Sequence, residues 1–123
     1  VAYTVEIARR FEAHQGLKAA VRAVLPTGAS VPVVLRVGVS FEDAQLTARG
    51  WFFDTDLVGD LLDRCCAELS SAPWTSLFPF RPTFELVARE LHARLSAQIP
   101  QLTYVELQDE SFGTTTRYYA PDQ

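Results

Sequence analysis

The sequence predicts an α+β domain built on a four-stranded antiparallel sheet, with two helices between the second and third strands, in the order ββααββ. Three observations point there. Segments of period-two alternation, rich in β-branched residues, sit at both ends of the chain. Two stretches of helical period lie back to back in the middle. A glycine separates the last two strand-like segments closely enough for a hairpin.

The first strand runs from Ala2 to Glu12, with Tyr3, Val5 and Ile7 on one face and Thr4 and Glu6 on a wet one. The second, VPVVLRVGVSF from Val31 to Phe41, alternates around Leu35, Val37 and Val39. Between them GLKAAVRAVLPTGAS reads as an irregular crossing with room for a helical turn. Glu42 to Arg49 is polar and loop-like, and GWFFD is a short extended stretch ending at Asp54. Asp54, Thr55 and Asp56 are N-cap candidates. Leu57, Leu61, Leu62, Cys65 and Leu69 then fall at helical spacing, giving a first amphipathic helix to about Leu69. SSAPWTSLFPF holds two prolines and three serines without a sustained period, and reads as a loop. Pro82 suits a helix start, and Phe84, Val87, Ala88, Leu91 and Leu95 form the buried stripe of a second helix that stops before Pro100. Leu102 to Gln108 and Thr114 to Tyr119 are the last two strands, with Gly113 available for the turn.

At 123 residues the chain fits one domain, residues 1–123. Its composition, 48% hydrophobic and 21% charged, is that of a folded globule and argues against disorder. The net charge of −4, a single lysine at Lys18 and scattered arginines leave no basic patch for phosphates, so nucleic acid is set aside as a partner. No stretch approaches the ~20 apolar residues of a membrane span, and no signal-peptide pattern opens the sequence; a cytoplasmic location is the expectation. Cys65 and Cys66 are adjacent, without the spacer of zinc or redox motifs, and read as small helix hydrophobes.

Four strings, in the right order and at plausible spacing, resemble one family. FEAHQGL from Phe11 is similar to F-x-A-A-H-R-L. GWFFD from Gly50 is similar to a G-W/M-hydrophobic-hydrophobic-D-F run. PTFELVARELHARL from Pro82 is similar to an N-P-T-x-E-x-hydrophobic-A helix start. The strand ending at Glu110, with Tyr118 eight residues on, is similar to a V-x-V-x-E-T strand and its following tyrosine. The family is that of 6-pyruvoyltetrahydropterin synthase and 6-carboxytetrahydropterin synthase, and the four strings together span nearly the whole chain. The resemblance implies the tunnelling fold, in which three subunits close their sheets into a barrel and two such rings stack, and hence a homohexamer.

The family holds zinc with three histidines, since a catalytic zinc takes three protein ligands and keeps one position open. Matching the motifs places Gln15, Ala29 and Val31 at those positions, and Ala29 and Val31 cannot ligate a metal. His14 takes a preceding alanine position and reaches the metal only through a one-residue bulge; His92 belongs to the second helix. The expectation is no metal and no cofactor. The family's proton-relay cysteine falls near Leu25, and its Asp-His pair on Ser70 and Ser71. Serine without a neighbouring base relays no proton, so no catalytic residue is assigned and the zinc-dependent carbon–oxygen lyase reaction is not expected.

What the resemblance keeps is a binding site. Glu110 matches the glutamate that anchors the pterin ring, and a carboxylate accepts the paired N–H donors of such a heterocycle; otherwise it is a solvated strand-end acid beside Asp109. Thr83 matches the motif threonine, a role compatible with capping the second helix. Glu85 favours the positive end of that helix. Trp51, Phe52, Phe53 and Phe80 are candidate walls for a flat ligand or ordinary core residues. The reading is therefore a degenerate family member with a pocket for a pterin-like small molecule. The alternatives are a metal-free, aldolase-like lyase, with Lys18 the one lysine available as a base, and a non-catalytic oligomeric scaffold.

Overall fold

Period-two patterning organises the molecule as expected. The computed structural model describes residues 1–17 and 30–121. Strands β1 (Tyr3–Ala13), β2 (Val31–Phe41), β3 (Leu102–Asp109) and β4 (Thr114–Tyr119) form one open antiparallel sheet in the order β1-β2-β3-β4. β2 is central, pairing Ala13 with Val31 on one side and Leu35 with Leu107 on the other. Its inward residues Val33, Leu35, Val37 and Val39 are fully buried. The β3–β4 hairpin turns through Gly113, whose φ of 70° is the left-handed conformation that a residue without Cβ adopts freely.

Helix α1 (Thr55–Ser71) begins at Asp54, which accepts the Asp56 N–H at 2.9 Å. Helix α3 (Phe84–Leu95) buries Phe84, Val87, Ala88, Leu91 and Leu95, the stripe its spacing predicts. Both helices pack on one face of the sheet, α1 against β1 and α3 against β3 and β4. Their apolar residues and the inward strand residues make one core.

Four expectations need correction. There are three α-helices among the described residues, because Trp74–Leu77 in the supposed loop forms a short helix α2. Trp74 is buried there, and the Trp74 and Thr75 N–H groups donate to the His14 and Gln15 carbonyls, so the segment is fastened to the end of β1. The buried face of α1 is rotated: Val58, Leu62, Cys66 and Leu69 face the core, and Leu57 is 63% exposed. The GWFFD segment bends rather than extends. Pro82 stands outside α3, whose N-cap is Thr83. The expected crossing between the first two strands, with Lys18, Leu25 and Ala29, lies outside the described residues.

Among the described residues no helix lies on the opposite face of the sheet. Glu106 on that face is 1% exposed because Arg36 and Arg117 close over its two oxygens, Arg117 at 2.9 and 2.5 Å. The Arg117 guanidinium also lies 4.1 Å from the Tyr104 ring centroid, and the Tyr104 hydroxyl donates to Glu6.

Candidate functional site

Of the residues singled out from the sequence, Gln15, Val31, Ser70, Thr83 and Glu110 stand at one end of the sheet, where β1 ends, β2 begins and β3 turns into β4. Antiparallel register produces this: Ala13 pairs with Val31, and Glu110 donates its N–H to the Pro32 carbonyl at 3.2 Å. Beyond β1 the Gln15 side chain is fully buried and its Nε2 donates to the Pro82 carbonyl at 2.6 Å, which draws the start of α3 and Thr83 to this end. The last turn of α1 arrives there too, since the Ser70 hydroxyl donates to the Glu12 carbonyl at 2.9 Å.

Neither of the two described positions matched to zinc ligands carries an imidazole, thiolate or carboxylate. Gln15 commits its amide nitrogen to a backbone carbonyl, and Val31 is buried hydrocarbon with no atom to offer. Among the described residues no three His, Cys, Asp or Glu side chains converge on one point. Ser71 donates to the Glu68 carbonyl of its own helix at 2.6 Å. Ser70 and Ser71 thus hold backbone, and among the described residues no base is bonded to either. His92 is buried on α3 edge-on to Tyr118, with ring centroids 5.3 Å apart. Burial pushes its pKa down, against a weaker upward pull from the Leu102 backbone.

Thr83 caps α3, its hydroxyl accepting the Leu86 N–H at 3.3 Å. Glu110 lies on the helix-free side of the sheet with its side chain 36% exposed, and Arg10 Nε donates to it at 2.6 Å. That hydrogen bond, reinforced by the opposite charge, raises the Arg10 pKa. Its neighbour Asp109 shares the helix-covered side with Val105 and Leu107 and is fully buried. Sequence reasoning passed over Asp109, although the alternation Val105, Leu107, Asp109 marks it as inward-facing.

The aromatic candidates do not join this site. Trp51, Phe52 and Phe53 line a hollow of about 230 Å³ with Tyr3, Val5 and Phe41 at the opposite end of the sheet, and Phe80 packs on Phe78 instead. A wider, open groove of about 860 Å³ also lies at that far end, between Ser40, Gln101, Thr103 and Tyr119. Neither hollow includes Glu110 or Thr83. No family model matches the chain, and no curated protein matches it. No helix among the described residues is long and apolar enough to cross a membrane.

Proposed function

We propose that this chain is a degenerate relative of the 6-pyruvoyltetrahydropterin synthase family that binds a pterin-like heterocycle without performing the zinc-dependent reaction. The observation that carries the reading is convergence. Gln15, Val31, Ser70, Thr83 and Glu110 were selected along nearly a hundred residues by motif matching alone, and they come to one end of one sheet. Register brings Gln15, Val31 and Glu110 together, and the bonds of Gln15 to Pro82 and of Ser70 to Glu12 bring the ends of α3 and α1 to the same place. Two strands, then helices, then two strands, with α1 and α3 on one face, is compatible with the tunnelling fold, and the polar opposite face suits the lumen of a barrel closed by several copies.

The resemblance assigns ring binding to Glu110 and Thr83, which stand at the same end of the sheet, Glu110 after β3 and Thr83 at the start of α3. Without a converging ligand set at Gln15 and Val31, or a base at Ser70 and Ser71, the function is recognition rather than lyase chemistry. Isothermal calorimetry with a panel of oxidised and reduced pterins, run with elemental analysis of the same sample, tests it. Saturable pterin binding by a protein with no stoichiometric zinc is the expected result. Zinc at one ion per chain, retained after dialysis against chelator, would sink the reading, as would failure of every pterin to bind.

A further inference from the structure

The aromatic hollow at the far end of the sheet takes no part in the function proposed above. Three of the rings that line it form a ladder: Tyr3 stacks on Phe41 with centroids 5.2 Å apart, and Phe41 on Phe52 at 5.0 Å. Trp51 lines it too, presented by a tight turn. In that turn the Thr47 N–H donates to the Trp51 carbonyl at 2.6 Å and the Gly50 N–H to the Thr47 carbonyl at 2.9 Å, with Gly50 at a φ of 85°. The indole is therefore held in place by backbone bonds, and a ligand need not order it. Trp51 is 48% exposed and Tyr3 42%. Aromatic surface left in water around a concavity is the usual mark of a binding site.

Charge around the hollow says what kind of molecule enters it. The segment 41–56 supplies most of the lining and carries Glu42, Asp43, Asp54 and Asp56 against a single base, Arg49. That base is already placed, its guanidinium 5.8 Å from the Trp51 ring centroid. Asp43 is joined to the hollow directly, because the Tyr3 hydroxyl donates to its Oδ1 at 2.5 Å. We infer that the hollow is a second site, independent of the one at Glu110 and Thr83, and that it binds a small arylalkylamine. The ring extends the stack of Tyr3, Phe41 and Phe52, and the protonated amine meets the Asp43 carboxylate. A volume of about 230 Å³ holds one ring and a short chain, which suits a free small molecule. A neutral ring gains the stacking without the ion pair, and an anion meets four carboxylates.

Three probes share one ring and differ in charge: phenethylamine, 2-phenylethanol and 3-phenylpropionate; propylamine carries the charge without the ring. Calorimetry should rank phenethylamine first, 2-phenylethanol about fivefold weaker and 3-phenylpropionate weakest, with propylamine not binding. Asp43→Asn keeps an acceptor for the Tyr3 hydroxyl and removes the charge. It should bring phenethylamine down to the level of 2-phenylethanol and leave 2-phenylethanol unchanged, and moderate salt should narrow the same gap. Trp51→Ala should abolish binding of both at an unchanged urea midpoint, since the side chain is half exposed. Equal affinity for the amine and the alcohol overturns the inference, as does a preference for 3-phenylpropionate, which would make Arg49 the anchor. So does a parent protein that binds no phenethylamine at millimolar concentration. Binding that weakens as the protein is concentrated means a second copy of the chain fills the hollow, and it overturns the inference too. None of these results bears on the pterin reading, which its own titration decides.

Discussion

Gly38 and Tyr104 face each other across β2 and β3, and a Cβ at position 38 would overlap the tyrosine ring. The glycine lets the ring lie flat on the strand, under Arg117 and within reach of Glu6. Gly38→Ala should therefore cost about 1–3 kcal/mol by overpacking, read as a lower urea midpoint with an unchanged m-value. His92 gives a second prediction. Its pKa is held below the ordinary 6.5 by burial. As pH falls below about 6.5 the unfolded chain binds a proton that the folded chain refuses, so stability drops with falling pH until the folded pKa is passed. In melts between pH 7.5 and 5, the parent should lose more stability than His92→Gln; parallel curves would contradict the assignment. The sequence made some of this legible. Alternation alone puts Asp109 inside, whereas the Arg10 contact with Glu110 spans a hundred positions and depends on a register that no local pattern encodes.

The elements themselves were readable where a period runs long enough to count. β2 and the stripe of α3 match their predicted residues, because alternation and i, i+3, i+4 spacing repeat several times in each. The four-residue α2 offers no repeat, and its flanking prolines read as punctuation. α1 is subtler: its apolar residues permit two neighbouring stripes, and the sheet chooses between them. Arg9 on β1 reaches across to Asp63 at 2.9 Å and lies against Gly59, so the helix turns its glycine to the strand and Leu57 to solvent. Leu62→Ala should cost about 2–5 kcal/mol in chemical denaturation, because its site is fully buried. Leu57→Ser should stay within about 0.5 kcal/mol, since its side chain is mostly exposed. Equal losses from the two substitutions would mean the helix sits in the other rotation.

For the whole molecule, what is left open on the sheet matters more than what is covered. β1 is an edge strand of eleven residues and β4 one of six, and an edge presents unpaired N–H and C=O groups to any passing strand. Neither edge is blunted by a proline, and β4 reads TTTRYY, with strong strand preference. The helix-free face is not a second core. Its centre is the Glu106, Arg36 and Arg117 cluster, in which two guanidinium groups share one carboxylate and leave a polar surface suited to lining a water-filled space. Closing several sheets edge to edge removes both edges and turns this face inward, which is how a ring of identical subunits disposes of the liability. The copy number comes from the family resemblance alone, which makes the proposed assembly a homohexamer, two stacked rings of three 13.7 kDa chains. Sedimentation equilibrium at micromolar concentration should return six times the chain mass, and moderate salt should leave it intact, because strand pairing relies on backbone bonds rather than exposed ion pairs. A monomer under those conditions would leave both sheet edges unpaired by another copy and would count against both the assembly and the family reading.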